Sequence, residues 1–268
     1  MSMPLPEPVD PHRLFDVSGK VVLVTGGSRG IGRMIAQGFV AAGARVYITA
    51  RSEEELAKAE AELRGEGECR AIRADLSTEA GARALVDELA ADEEALHVLV
   101  NNAGANWGAP LEKHDDKALD RVFSLNVKGV FHMIRFALPL LKAAASAQDP
   151  ARVITVGSVA GLVVPDSGVY GYAAGKAAVH SLSRHLAREL APQHVNVNVL
   201  APGSFPSKMT QFLFEAPQGE EFLIRNIPSG RTGRTADIAG PALFLASPAA
   251  AYVTGAVLTV DGGWALLG

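Results

Sequence analysis

The sequence predicts a single α/β domain in which one parallel β-sheet is covered by helices on both faces. Three observations support this fold class. Short apolar runs alternate with helical patterns from one end of the chain to the other. A glycine-rich turn joins the first apolar run to the first helix. The 268 residues are 48% hydrophobic, enough for one large core, and no repeat or linker marks a second domain.

Each strand is predicted from a short run rich in Val, Ile, Leu or Ala, which is typical of a strand buried on both faces. The sheet should therefore contain about seven strands. In chain order they are Lys20–Val24, Ala44–Thr49, Arg70–Ala74, Leu96–Val100, Arg152–Val156, Val195–Leu200 and Ala256–Val260.

The helices are predicted from apolar residues at helical spacing and from their end signals, such as Gly43 after the first helix and Pro139 as a kink in the fourth. In such sheets, ligands bind beyond the carboxyl ends of the strands. The predicted helices are Ile31–Ala42, Glu53–Arg64, Thr78–Ala91, Asp116–Ala147, Tyr172–Leu190 and Ala236–Ala246, with Pro202–Pro228 irregular or broken helix.

Composition excludes several classes of protein. The net charge is −4 and no Lys/Arg run is present, so nucleic acid is not a predicted partner. No apolar stretch reaches about 18 residues, so no membrane partner is predicted. Cys69 is the only cysteine, which suits a reducing compartment and a cytoplasmic location. The histidines show no metal-ligand spacing, and His180 and His185 are predicted on a solvated helix face.

Residues 1–17 are predicted to form a proline-rich arm ahead of the domain formed by residues 18–268. Pro4, Pro6, Pro8 and Pro11 stand in a stretch without an apolar run, so these residues do not predict a signal peptide. A flexible or extended arm is the simpler interpretation, and an arm packed on a neighbouring subunit is the alternative.

The turn Thr25–Gly32 is the predicted cofactor site. Its glycines permit a tight turn and a close approach of the backbone to a pyrophosphate, and the following helix offers unpaired N–H groups. A glycine-rich turn with a purely structural role is the alternative. The predicted cofactor contacts in this turn are Gly26, Ser28, Arg29, Gly30 and Ile31.

Tyr172 and Lys176 form the predicted acid/base pair. Residues four apart share one face of a helix, and a nearby positive charge lowers the pKa of a phenol from about 10. That shift would make Tyr172 a general acid near neutral pH. Taken alone, a Tyr-x-x-x-Lys spacing also occurs by chance on solvated helices, so the argument depends on its combination with the glycine-rich turn.

With these motifs together, the chain resembles the short-chain dehydrogenase/reductase family, and within it the NADP-using 3-oxoacyl reductases of the rhamnolipid-synthesis type. The resemblance covers about residues 18–263 and implies a Rossmann-type fold and a homotetramer. The motifs that carry it are Gly-x-x-x-Gly-x-Gly at 26–32, Asp75-Leu76, Asn101–Gly104, Asn126, Ser158, Tyr172-x-x-x-Lys176, Pro202-Gly203, Phe205–Met209 and Val260–Gly263.

The resemblance also implies roles for single residues. Ser158 would hydrogen-bond the substrate carbonyl, Tyr172 would donate the proton, Lys176 would lower the Tyr172 pKa and hold the cofactor ribose, and Asn126 would fix a water. An ordinary turn serine at 158 and a satisfied polar residue at 126 are the alternatives. Tyr172, like Lys176, would also contact the nicotinamide ribose, and the other implied cofactor contacts are Asp75, Leu76, Asn102, Gly104, Pro202, Gly203, Phe205 and Ser207.

The end of the second strand selects the form of the cofactor. NAD enzymes place an acidic residue there for the ribose 2′-hydroxyl, whereas this chain has Tyr47–Arg51 without an acid. Arg51, and Arg29 in the turn, would bind a 2′-phosphate instead, so NADP(H) is the predicted cofactor. An Arg51 that only lies in solvent at the sheet edge is the alternative.

The predicted substrate is a small-molecule carbonyl compound. Residues 204–228 form a predicted lid whose apolar side chains suit an acyl thioester, although they would equally fill a core, and Trp107 is a candidate pocket wall. Three functions follow: a 3-oxoacyl reductase, a reductase of another apolar ketone such as a steroid, sugar derivative or xenobiotic, and a nucleotide-binding protein without turnover.

Overall fold

The computed structural model describes residues 10–165, 168–207, 221 and 224–266 of the chain. The described strands form one parallel sheet in the order β3-β2-β1-β4-β5-β6-β7, which confirms the predicted single-domain Rossmann-type fold. Their bounds are Val21–Thr25 (β1), Arg45–Ala50 (β2), Cys69–Arg73 (β3), Val98–Asn101 (β4), Ala151–Val156 (β5), Val195–Pro202 (β6) and Val257–Val260 (β7).

The helices of the described residues connect these strands and cover both faces of the sheet. Ser52 and Thr78 cap the second and third connecting helices with side-chain oxygens, as their sequence positions suggest. The α-helices are Pro11–Leu14 (α1), Gly30–Ala41 (α2), Glu53–Arg64 (α3), Glu79–Asp92 (α4), Asp116–Phe123 (α5), Val130–Ala144 (α6), Tyr170–Leu190 (α7) and Thr235–Ala246 (α8).

Strand β1 shows how the core divides into two layers. Val22 and Val24 belong to the cluster that packs on α2, α3 and α8. Val21 and Leu23 belong to the cluster that packs on α4, α6 and α7. Alternate side chains of a strand point to opposite faces, so an apolar run without polar positions is what a doubly covered strand requires.

The predicted helix over residues 116–147 is not continuous. A π-helical turn, Ser124–Gly129, separates α5 from α6, and Pro139 lies inside α6 without ending it. Gly129 lies so close to the preceding loop that a Cβ there would stand 2.6 Å from the main-chain oxygen of Leu76. π-helical turns are frequent at functional sites, and this one contains Asn126.

The amino-terminal arm is partly described. Residues 1–9 lie outside the described part of the chain, and Pro11–Leu14 form a helical turn capped by the Asp10 carboxylate. Among the described residues, no helix combines the length and the apolar character that a membrane crossing requires.

The strand order places the ligand site. Strands β1 and β4 are neighbours, but their connections leave in opposite directions, toward β2 and β5 respectively. A crevice opens at such a switch point, beyond the carboxyl ends of the strands.

Candidate active site

A cavity of about 950 Å³ opens at this switch point. Most residues predicted from the sequence line it, although they come from separate parts of the chain. They are Gly26, Ser28, Arg29, Gly30, Ile31, Arg51, Leu76, Asn102, Gly104, Ser158, Tyr172, Lys176, Pro202, Gly203, Phe205 and Ser207. Asp75 and Asn126 are not among the lining residues: the Asp75 carboxylate accepts from the Ser77 amide, and the Asn126 side chain accepts from the Ala105 amide.

The glycine-rich turn has the backbone shape that an anion site needs. Gly26 and Gly30 have φ of 65° and 54°, in the left-handed region that favours glycine. A Cβ at Gly32 would lie 2.3 Å from the Gly26 oxygen. Helix α2 begins at Gly30, so its unpaired N–H groups and the positive end of its dipole are directed at the cavity.

Asn102 braces this turn from the end of β4. Its Nδ2 donates to the main-chain oxygens of Thr25 and Gly26 at 2.9 and 3.1 Å. The Thr25 hydroxyl in turn accepts hydrogen bonds from the amides of Asn102 and Ala103 at 2.9 and 3.0 Å. Asn102 therefore shapes the turn as well as lining the cavity.

The two arginines predicted for a 2′-phosphate differ in their surroundings. Arg29 Nη1 contacts both carboxylate oxygens of Glu55 at 2.6 Å. The Arg51 guanidinium forms no hydrogen bond or salt bridge with the described residues, although the Arg51 main-chain oxygen accepts from Arg73 Nε at 3.0 Å, and the positive charge of Arg51 acts on Asp75. Burial raises the pKa of Asp75, but hydrogen bonds from Ser77 and the Arg51 charge outweigh it, so the pKa is lowered overall. Arg51 is thus the better placed of the two arginines for an added phosphate.

Ser158, Tyr172 and Lys176 meet on one side of the cavity. Ser158 follows β5, and its Oγ accepts from the Ala160 amide at 3.1 Å and lies near enough to the Tyr172 hydroxyl to have a lowering effect on the pKa of that phenol. Lys176 lies one turn after Tyr172 on α7, with Nζ 5.6 Å from the phenol ring centroid and 2.7 Å from the Val156 main-chain oxygen. Two hydroxyls and an ammonium group therefore face the same space.

The pKa values in this cluster differ from the sequence-based expectation. Burial raises the pKa of Tyr172 above 10, and the hydrogen bond to Ser158 offsets only part of that effect. Burial also lowers the pKa of Lys176 to about 8. The expected lowering of the Tyr172 pKa by Lys176 is absent here, because desolvation dominates and Lys176 is directed at Val156.

Asn126 acts on the loop after β4. Its Oδ1 accepts from the Ala105 amide at 2.7 Å, and its Nδ2 donates to the Ala105 oxygen at 2.9 Å. The side chain is 1% exposed. A contact with a water in the cavity, as the resemblance implies, would therefore have to come from the main-chain carbonyl rather than from the amide group.

The structure distinguishes the two neighbouring tyrosines. Tyr172 lines the cavity, whereas Tyr170 points elsewhere and packs edge-on against His114 at 5.0 Å between ring centroids. Trp107 lines the cavity, as the sequence suggested for a pocket wall. Phe205 also reaches the wall, but it is 2% exposed and most of its ring packs in the core beside Gly233.

Two further residues of the site region were not anticipated. Arg121 of α5 lines the cavity, and an isolated arginine on a polar helix face gives no sequence signal for that position. His180 was predicted on a solvated face and is instead 1% exposed, so that prediction was wrong. Its spacing of four residues after Lys176 was the available signal. The predicted lid residues Met209, Phe212, Leu213, Phe214, Phe222 and Leu223 lie outside the described residues.

Comparison with known proteins agrees with this geometry. Residues 26–265 match the protein family described as enoyl-(acyl carrier protein) reductase. The chain is 51% identical to a rhamnolipids biosynthesis 3-oxoacyl-[acyl-carrier-protein] reductase of Pseudomonas aeruginosa over 95% of this chain and 100% of that protein. It is 38% identical to a 2-dehydro-3-deoxy-D-gluconate 5-dehydrogenase of Pseudoalteromonas atlantica, over 93% of this chain and 97% of that protein.

A solved structure is similar along nearly the whole chain. The Pseudomonas aeruginosa RhlG/NADP active-site complex superimposes with a TM-score of 0.92 at 50% identity, covering 95% of this chain and 99% of that one. Fold, motif order and cavity all agree with the family match, and the chain therefore belongs to the short-chain dehydrogenase/reductase family.

Proposed function

We propose that this protein is an NADPH-dependent carbonyl reductase that converts a 3-oxoacyl thioester to the 3-hydroxyacyl product. The observation that carries the proposal is that Ser158, Tyr172 and Lys176 line the same cavity as the glycine-rich turn. The relative at 51% identity, named for 3-oxoacyl-[acyl-carrier-protein] reduction, supports the substrate class.

The described residues fit NADP(H). The glycine turn and the amino end of α2 would hold the pyrophosphate, and Arg51, which lacks a salt bridge to the described residues, would bind the 2′-phosphate. Asp75 and Leu76 would flank the adenine, and the remaining predicted contacts would lie along the cofactor. When bound, NADPH supplies the hydride, so the protein has to supply orientation and a proton.

The side chains supply the proton. The Ser158 hydroxyl would donate a hydrogen bond to the substrate carbonyl oxygen, and the Tyr172 hydroxyl would transfer its proton to the alkoxide that forms there. Because its pKa is raised, Tyr172 is protonated at neutral pH, as an acid must be. Lys176, with a pKa of about 8, still carries its charge at pH 7 and would hold the cofactor ribose, as the resemblance implies.

We extend the proposal to the surroundings of the site. Residues 18–268 would form the catalytic domain, residues 204–228 its lid, and the enzyme would work as a cytoplasmic homotetramer in which α5, α6 and α7 contact a second subunit. Light scattering of the purified protein would test the tetramer directly. A monomer at micromolar concentration would contradict it.

A sugar-acid reductase is the second candidate. The relative at 38% identity is named for a dehydrogenated gluconate, and Arg121 offers a positive charge on the cavity wall that would suit a carboxylate. This candidate keeps the same hydride and proton chemistry but predicts no benefit from a longer alkyl chain.

A panel of 3-oxo compounds of increasing chain length separates the candidates. Each buried CH₂ contributes about 0.8 kcal/mol, roughly fourfold. Going from a four-carbon to an eight-carbon 3-oxoacyl thioester should therefore raise kcat/KM on the order of 10²-fold. Trp107→Ala should flatten this slope, whereas Tyr252→Ala, at a fully exposed position, should not. A flat slope together with turnover of 2-dehydro-3-deoxygluconate would favour the sugar acid.

A further inference from the structure

The segment after β5 is held by two side chains of helix α7. Lys176 Nζ donates to the main-chain oxygen of Val156 at 2.7 Å. One turn later, His180 Nε2 accepts a long hydrogen bond from the main-chain N–H of Ser158 at 3.4 Å. Tyr172, Lys176 and His180 follow one another at four-residue intervals, so they occupy one helix face.

The His180 ring fits between the two glycines on either side of Ser158. A Cβ at Gly157 would stand 2.2 Å from His180 Nε2, and a Cβ at Gly161 would stand 3.0 Å from Cε1. Any larger residue at Gly157 would push the ring away or displace the segment. The imidazole is thus in contact with the backbone immediately before and shortly after the serine.

Stability alone gives no reason for a histidine at this position. Because Nε2 accepts from Ser158, the ring proton lies on Nδ1, and Nδ1 has no hydrogen-bonding partner among the described residues. Burial, helped by the positive charges of Lys176 and Arg184, lowers the pKa of His180 to about 4, so the ring stays neutral at physiological pH. A buried N–H without a partner destabilises a fold; leucine would remove the unpaired Nδ1–H but would leave the Ser158 N–H without its acceptor, so the two side chains differ little in this respect.

We propose that His180 is a positioning residue for the reduction: its Nε2 and ring fix the main chain from Gly157 to Gly161, which sets the Ser158 hydroxyl against Tyr172. The inference rests on the proposed carbonyl reduction but not on the identity of the ketone. His180 does not line the cavity, so it acts through Ser158 rather than on the substrate.

Three variants separate positioning from packing. His180→Leu keeps the volume and removes the acceptor. His180→Gln offers an amide oxygen near the position of Nε2, whereas His180→Asn places it near Nδ1 and out of reach of Ser158. We expect kcat to fall at least tenfold in the Leu and Asn variants and less than threefold in the Gln variant. The melting temperature of His180→Leu should stay within a few degrees of that of the wild type, because the variant exchanges one unpaired buried N–H for another. His185→Leu, on an exposed position of the same helix, serves as the control.

Amide hydrogen exchange provides a readout that does not need turnover. Exchange in residues 157–161 should be faster in His180→Leu than in the wild type and should return toward the wild-type rate in His180→Gln. Equal exchange and equal kcat in the Leu and Gln variants would overturn the proposal. A wild type that reduces none of the 3-oxoacyl thioesters would instead contradict the proposed function, and the exchange comparison would still decide the role of His180.

Discussion

Two bends of the chain line the cavity, the glycine-rich wall after β1 and the catalytic wall after β5, and they are built in different ways. The bend after β1, residues 25–32, takes its shape from glycines and is braced by Asn102, a neutral amide from the neighbouring strand. The bend after β5, residues 156–161, is braced by Lys176 and His180, two ionisable side chains from one helix.

The two walls should respond differently to pH. The glycine-rich wall attracts an anion through main-chain N–H groups, which do not titrate. The catalytic wall depends on groups whose pKa values burial has already moved, upward for Tyr172 and downward for Lys176. Cofactor affinity should therefore follow backbone shape and Arg51, whereas turnover and alkaline stability should follow the protonation of α7 side chains.

Removing the Tyr172 hydroxyl should have the largest effect on turnover. That effect should be confined to the catalytic wall. In Tyr172→Phe we expect kcat to fall by about 10²–10⁴, because general acid catalysis typically contributes that much. The dissociation constant for NADPH, measured by fluorescence titration, should change less than threefold. Tyr170→Phe is the matched control, since Tyr170 points away from the cavity. Equal losses at both positions would refute the assignment.

The charge of Lys176 should appear in the pH dependence of stability. Its pKa is lowered from 10.5 to about 8 in the folded protein, so between these values the unfolded chain binds more protons. Stability should consequently rise with pH across this window, and the contribution is lost as pH falls through about 8. A shift of this size corresponds to about 3 kcal/mol.

Lys176→Met removes this titration and provides the comparison. Urea unfolding between pH 7.5 and 10.5 should show the wild type gaining stability relative to the variant by about that amount, because Met fills similar space without a group that titrates in this window. Parallel pH profiles for the two proteins would show that the folded protein does not perturb Lys176.

The glycine-rich wall was largely predictable from the sequence. The catalytic wall was only partly predictable from it. The glycines and the Tyr172–Lys176 pair are local patterns that became specific in combination, and Asn102 followed from the family resemblance that they carry. His180 escaped prediction because a histidine on a mixed helix face does not reveal which neighbours cover it. Its burial depends on Gly157 and Gly161, more than 18 residues earlier in the chain.

Long-range contacts also explain the other differences. A single helix over residues 116–147 was a fair prediction from periodicity, but the π-helical turn follows from the contact of Asn126 with Ala105 and of Gly129 with Leu76. The direction of the Tyr172 pKa shift could not be read from a four-residue spacing either. It depends on how deeply the phenol is buried and on the oxygen to which Lys176 donates.

The smallest predicted effect tests the cofactor wall alone. Arg51→Asp should weaken NADPH binding about 10- to 150-fold, since a charge-assisted hydrogen bond contributes about 1.5–3 kcal/mol. It should improve NADH relative to NADPH, because a carboxylate at this position can accept a hydrogen bond from a 2′-hydroxyl and repels a phosphate. With saturating cofactor, kcat should stay within threefold of the wild type.

Arg29→Ala is the matched control, because Arg29 is already paired with Glu55 and should matter less. If Arg29→Ala changes the ratio of NADPH to NADH affinity more than Arg51→Asp does, then the 2′-phosphate lies at the turn after β1 and the Arg29–Glu55 pair must open to receive it.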